Sequence, residues 1–335
     1  LGAYERNVIV QIGAIGMGMF CAVCLSLLDY HVLAKLWKFY IPLALLLVGL
    51  TFFYGVQVDE TIDDKAWLRL PFGMTFQPAE FMKICFILSL AYHLSKLRGS
   101  INRPVNILLL GLHGAVPMLL VHLQGDDGTA LIFLFIFVTV VFLAGVSWKY
   151  LLPAAGCVAV AIPIVWQYVF SDDQRKRFLS VYFSAYADPV GSDYQQRLSR
   201  ISIGSGQMTG KGLFQDNYWY VPKMHNDFIF SFIGQALGFI GALAVVGLLL
   251  AVCIRSIHTA VTALDPLGTY ICYGFFAMIF FQCALNIGMC LSVLPVIGVT
   301  LPLLSSGGSS VLITYLGIGL VLSVWTHRRK ALFYD

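Results

Sequence analysis

Pro222-Lys223-Met224-His225-Asn226-Asp227-Phe228-Ile229-Phe230 leads straight into an apolar stretch that runs from residue 228 to 254. At 1.5 Å per residue, that stretch is long enough to cross about 30 Å of hydrocarbon as a helix. The passage therefore sets an ionisable cluster at the mouth of a membrane-spanning helix. A carboxylate there is costly to hold and needs a reason.

The rest of the chain has the same character. Of 335 residues, 59% are hydrophobic and 11% charged, with mean hydropathy +0.82, where soluble domains carry about 25% charged residues. Nine apolar runs fall near 8–28, 38–55, 80–97, 105–123, 129–147, 150–170, 228–254, 268–294 and 307–326. The predicted fold class is all-α: a polytopic membrane helix bundle with nine transmembrane helices and a large extracytoplasmic loop at 171–226. The formal charge of +4 comes from short basic loops and does not point to a nucleic-acid partner. Cys21, Cys24, Cys85, Cys157, Cys253, Cys272, Cys283 and Cys290 lie in apolar runs or at their edges, and Cys21 and Cys24 lack a second pair or nearby histidines. They read as small helix residues, so neither a structural disulfide nor a zinc site is expected.

Nine crossings put the two ends on opposite sides, and the basic residues choose the side. Lys35, Lys38, Lys96, Arg98, Arg103, Lys149, Arg255, Arg328, Arg329 and Lys330 share one face, whereas the opposite short loops hold Arg6, Lys65 and Arg69. The positive-inside rule then makes the C-terminus cytoplasmic and the N-terminus external. Residues 56–79, 124–129, 171–226 and 297–306 emerge outside, so the chemistry is expected to be extracytoplasmic. No cleavable signal peptide is read in the first residues, and an external start suggests an upstream helix absent from this sequence.

Several polar residues lie on those outer edges. Glu80 and Lys83 in Gln77-Pro78-Ala79-Glu80-Phe81-Met82-Lys83 are three apart and share a helix face. Each alone would cost about 2.5–3.5 kcal/mol near the bilayer centre, so they form either a packing ion pair or a substrate-facing cation with its partner. In Gln124-Gly125-Asp126-Asp127-Gly128-Thr129 the carboxylates can cap a helix or bind a cation or sugar. The loop 171–226 carries Arg175-Lys176-Arg177, Asp188-Pro189, Tyr194-Gln195 and the glycine run from Gly204 to Gly212 around Lys211. Ser205 and Gly212 break the nucleotide phosphate-loop pattern, so no nucleotide is expected. The run is either a turn shaped by glycine or a backbone approach to a diphosphate. Asn286 sits inside an apolar run, and Ser305-Ser306-Gly307-Gly308-Ser309-Ser310 starts the last one.

The order of these motifs carries more than any one of them. Trp67-Leu68-Arg69, Gln77-Pro78-Ala79-Glu80-Phe81-Met82-Lys83, the 124–129 turn, Tyr194-Gln195, Ile203-Gly204-Ser205-Gly206 and His225-Asn226-Asp227-Phe228-Ile229-Phe230 follow in sequence. Leu237-Gly238-Phe239-Ile240-Gly241, Asn286-Ile287-Gly288-Met289, Leu294-Pro295-Val296 and Leu301-Pro302-Leu303-Leu304-Ser305 complete the series. Across essentially its whole length the chain resembles the SEDS family, which includes RodA, FtsW and SpoVE.

The resemblance implies one SEDS-type integral membrane domain over 1–335, a peptidoglycan glycosyltransferase of the bacterial cytoplasmic membrane. It would polymerise lipid II at the outer face for elongation, division or sporulation, beside a class B penicillin-binding protein that cross-links the product. Members typically have ten transmembrane helices, and the motifs here match the second to the tenth. The family's essential acid falls on Asp227. Arg69, Glu80, Lys83, Asp126, Tyr194, Gln195, Lys211, His225, Asn286 and Ser305 are the expected substrate-binding residues.

Lys223 stands where the family often has Glu, and Gln235 and Ala236 replace a Glu pair, so Asp227 must act without those acidic neighbours. Asp227 is expected to serve as general base on the acceptor hydroxyl. Lys83, Arg69 and Lys211, or a divalent cation such as magnesium or manganese, would meet the charge of the departing diphosphate. A lipid II flippase is the rival reading, because intramembrane charge and interrupted helices also mark transporters.

Overall fold

The computed structural model describes residues 3–57, 65–71, 75–168, 170–183, 192–215 and 217–328. Asp188-Pro189 and Arg329-Lys330 lie outside the described residues. A helix covers each apolar run: α1 (Ala3–Leu27), α3 (Trp37–Tyr54), α4 (Pro78–Lys96), α5 (Pro104–Leu123), α6 (Asp127–Leu143), α7 (Trp148–Tyr168), α10 (Ile229–Val261), α11 (Pro266–Cys290) and α12 (Gly308–His327). Among the described residues, seven of these nine helices are by length and composition alone long and apolar enough to cross a membrane. The other two are α6, with 17 residues, and α4, which carries Glu80, Lys83 and Lys96.

Two departures concern the segments between spans. Residues 68–76 hold a short antiparallel pair, β1 (Leu68–Arg69) and β2 (Thr75–Phe76), in which Arg69 faces Thr75. The description as all-α therefore needs that one exception. The stretch read as a large loop is substantially helical, with α8 (Asp172–Tyr182) and α9 (Ser192–Ser205) in it; α2 (Tyr30–Lys35) completes the helices. Ser171 and Gln174 form a reciprocal capping box at the start of α8. Arg175 donates to the carbonyls of Trp166 and Gln167, 2.8 and 2.7 Å away, and so closes the C-terminal turn of α7.

The chain forms two compact units, with two of their four boundaries inside α10 and α11. Unit 1 comprises Leu1–Gly145, Ala251–Phe281 and Pro302–Asp335. Its centre is α4, which packs against α2, α3, α5, α6 and α12. Met82, Cys85, Phe86, Ile87, Leu90 and Leu94 are all buried, so this helix is surrounded by protein despite its charges. α1 lies along α12, and Gln11 joins their ends by donating to the Ser305 carbonyl and accepting from the Gly307 N–H. At the other end, His31 lies 2.8 Å from Asp29 and 2.7 Å from Asp265, which also accepts from the Tyr30 hydroxyl.

Unit 2 comprises Val146–Leu250 and Gln282–Leu301. In α9, Gln196, Ser199 and Ser202 are buried while Tyr194, Arg197, Arg200 and Ile201 are exposed, the three-to-four spacing of a helix with one covered face. Gln196 donates to the Met289 carbonyl in the last turn of α11 (3.1 Å) and to the Leu294 carbonyl in the connection beyond it (2.7 Å). Ser199 donates to the Cys290 carbonyl at 2.6 Å and lies 2.5 Å from the Ser231 hydroxyl. Buried polar side chains thus bind α9 to α10 and α11.

Candidate active site

Asp227 lies in a series of tight turns, residues 222–228, just before α10. Val221 and Phe228, both fully buried, anchor the two ends of this stretch. Between them, the Asn226 N–H reaches the Lys223 carbonyl at 3.0 Å, and Lys223 itself has φ +58. A left-handed conformation at a residue with a long side chain is a local strain that recurs at functional sites.

Asp227 is partly exposed and His225 is exposed. The Asp227 main chain is gripped from behind: Asn286 Nδ2 donates to its carbonyl at 2.7 Å and to the Val299 carbonyl at 2.7 Å. Asn286 is fully buried, so the residue expected to contact substrate lies beneath the turn instead. Lys223 shares the electrostatic environment of Asp227. Burial pulls the lysine pKa down, and the Asp227 charge pulls it back up.

The glycine run has a structural task in this unit. α10 is interrupted at Gly238 (φ 67, ψ −168), which leaves backbone groups without helical partners inside an apolar segment. Residues 207–212 supply those partners. The N–H groups of Lys211 and Gly212 donate to the carbonyls of Gln235 and Ala236, and the carbonyls of Gln207 and Met208 accept from Phe239 and Ile240. Unpaired backbone groups are not tolerated in hydrocarbon, so this exchange lets the helix break persist.

The approach is close enough that a Cβ on Gly210 would fall 2.2 Å from the Ala236 oxygen. These N–H groups are therefore committed to α10 carbonyls rather than open to a diphosphate. The Lys211 ammonium donates to the Asn217 carbonyl at 3.0 Å. Gln235, buried completely, accepts from the Trp219 N–H at 2.9 Å and the Ser205 hydroxyl at 3.1 Å. Sequence reasoning treats Gln235 only as a lost acid, and passes over Gln196 beside the expected Tyr194-Gln195 pair. Their amides join elements distant in sequence, which no local pattern signals.

Unit 1 holds the second polar group. Lys83 Nζ and Glu80 Oε1 are 2.7 Å apart, and both side chains are buried. Asp126 is the N-cap of α6: Oδ1 accepts from the Thr129 N–H at 2.9 Å, and Oδ2 accepts from Gln77 Nε2 at 2.5 Å. Burial raises the Asp126 pKa, the Thr129 hydrogen bonds lower it, and the nearby charges of Glu80 and Lys83 act in opposite directions. Glu80, Lys83, Asp126 and Gln77 thus form one cluster. Asp127 pairs with His122 at 2.6 Å, so the two adjacent aspartates have separate partners. Arg69 is exposed on β1, and Ser305 is buried where Gln11 holds its carbonyl.

Fold and site define a multi-pass membrane protein with a carboxylate-bearing turn before a broken helix. The chain matches the profile of the FtsW, RodA and SpoVE family, described as cell cycle protein, over residues 2–330. It is 33% identical over 337 residues to the probable peptidoglycan glycosyltransferase FtsW of Geobacter sp. (strain M18), a match spanning 98% of this chain and 87% of the relative. The peptidoglycan glycosyltransferase MrdB of Escherichia coli (strain K12) gives the same 33%, 98% and 87%.

Two solved structures extend the likeness to three dimensions. A chain from a peptidoglycan synthase complex that coordinates polymerization and crosslinking superposes with a TM-score of 0.82 at 31% identity, covering 97% of this chain and 91% of that one. The rod shape determining protein RodA of Thermus thermophilus gives 0.71 at 30% identity, covering 97% and 89%. The chain belongs to the FtsW, RodA and SpoVE family.

Proposed function

We propose that this protein, a peptidoglycan glycosyltransferase of the FtsW, RodA and SpoVE family, polymerises lipid II with Asp227 as general base. The hold on Asp227 carries the reading: its main chain is fixed by a buried amide while its side chain stays partly exposed beside Lys223. A base needs that combination of fixed position and access. Asp227 takes the proton from the sugar hydroxyl of the acceptor, the oxygen attacks the anomeric carbon of the donor, and undecaprenyl diphosphate leaves with inversion. The leaving group is already acidic, so a second carboxylic acid is not demanded, unlike glycoside hydrolysis.

Lys211 is the proposed cation for the diphosphate, whereas Lys83 is committed to Glu80 within its own unit. Tyr194, Gln195 and His225 belong to the proposed binding surface. Among the described residues no three His, Cys, Asp or Glu side chains gather to hold a metal ion. The topology that fits this chemistry has nine spans, a cytoplasmic C-terminus and Asp227 outside. A class B penicillin-binding protein is the proposed partner, in keeping with the synthase complex that this fold resembles. The helix break that could mark a transporter is filled by residues 207–212, which favours polymerisation over transport.

The test is glycan formation from labelled lipid II by the purified protein with its partner. Asp227→Asn is expected to lower the rate by roughly 10²–10⁴-fold with normal membrane insertion. Wild-type turnover in that variant would overturn the assignment.

A further inference from the structure

We propose that Asn286 is a positioning residue for glycosyl transfer, holding the Asp227 carboxylate in place through the main chain; this rests on Asp227 being the base. An amide nitrogen has two protons, and both are used here. One reaches the Asp227 carbonyl and the other the Val299 carbonyl, each at 2.7 Å. Asn286 is completely buried, so it acts from beneath and not by touching a ligand.

The two carbonyls belong to irregular backbone, the turns at 222–228 and the connection at 291–301. Neither segment has a helical ladder to fix it. α11 is the regular element that supports both, and Cys290, one turn beyond Asn286, lies 3.7 Å from the same Asp227 oxygen. The Cys290 carbonyl in turn accepts from Ser199 on α9, the helix that carries Tyr194 and Gln195. A grip on the carbonyl limits rotation of the residue that bears the Asp227 carboxylate.

Residue type at 286 is tightly constrained by this arrangement. Ionised Asp would set a carboxylate against two carbonyl oxygens, Ser would keep one donor, and Gln would keep both donors on an arm one methylene longer. Displacement of a reacting group by about 1 Å can cost on the order of 10²-fold in rate. The loss should therefore appear in kcat and not in affinity for lipid II.

The experiment measures steady-state polymerisation of lipid II by the purified full chain with its partner, with rates expressed per folded protein. Asn286→Ser is expected to lower kcat on the order of 30–100-fold while KM for lipid II stays within about threefold. Unchanged kcat overturns the proposal, and so does a raised KM with unchanged kcat, which would make Asn286 a substrate contact. If Asn286→Ser does not accumulate folded, Asn286→Gln is measured in the same way, and the same two outcomes overturn the proposal. Asp227→Asn is measured in parallel. Full activity there defeats the base reading itself, whereas an inactive Asp227→Asn beside a fully active Asn286→Ser defeats the positioning role alone.

Discussion

Lys83 Nζ lies 2.7 Å from Glu80 Oε1 one turn away on α4, and both side chains are shut off from solvent by the helices around them. Taking two charges out of water costs several kcal/mol each, which their attraction repays only while both are present. Lys83→Met is therefore expected to destabilise the protein by about 3–5 kcal/mol, because it strands Glu80. The double variant Glu80→Leu with Lys83→Met should recover most of that loss. Thermal unfolding in detergent decides it. Equal midpoints for the single and double variants would show that the pair is not coupled.

Asp126 gives stability a pH dependence of definite sign. Burial raises its folded-state pKa above the ordinary aspartate value of 3.8, despite the opposing Thr129 hydrogen bonds. A raised pKa means that the neutral form suits the fold. The contribution is full below pH 3.8 and is lost as pH rises through the folded value. Asp126→Asn is neutral throughout and can still cap Thr129, so it should gain on wild type as pH rises from about 4 toward 7. Parallel pH curves of unfolding midpoint for the two proteins would contradict this.

Lys223 places a cation four residues before Asp227, and it shares an electrostatic environment with Asp227. A neighbouring positive charge favours an ionised carboxylate, and a negative one disfavours it. Lys223→Glu should therefore move the acid limb of the rate profile to higher pH. The measurement is the pH dependence of kcat/KM for lipid II. An acid limb that stays in place would separate Lys223 from the chemistry.

Hydropathy located every helix that spans an apolar run, because the need to satisfy backbone groups in lipid leaves a sequence few alternatives. It also placed Asp227 and the Glu80–Lys83 pair, since charge beside an apolar run is conspicuous. Other features were hidden for a physical reason. Asn286 and Gln235 do their work on backbone carbonyls and N–H groups of distant segments, and backbone atoms carry no sequence signature. The segment 171–226 reads as a loop because α8 and α9 are polar, and nothing in the run Arg175-Lys176-Arg177 signals that Arg175 closes the end of α7. The glycine run leaves a glycine-shaped turn and a backbone approach to a diphosphate both open, because close backbone approach looks the same in sequence whether the visitor is a ligand or another helix.

Gly238 distinguishes those two meanings of glycine. Its φ of 67 with ψ of −168 belongs to a region open essentially to glycine alone, and a Cβ there would sit 2.3 Å from the Gly210 nitrogen. Gly238→Ala therefore combines about 1–3 kcal/mol of backbone strain with a clash that neither backbone can relieve by turning a side chain. Gly247, farther along α10, has open space around its Cβ position and ordinary helical geometry. Gly247→Ala should be neutral or stabilising by up to about 1 kcal/mol. The comparison uses the yield of monodisperse protein and its unfolding midpoint. Gly238→Ala is expected to lose most folded protein while Gly247→Ala matches wild type, and equal behaviour of the two would mean that residues 207–212 do not hold the helix break together.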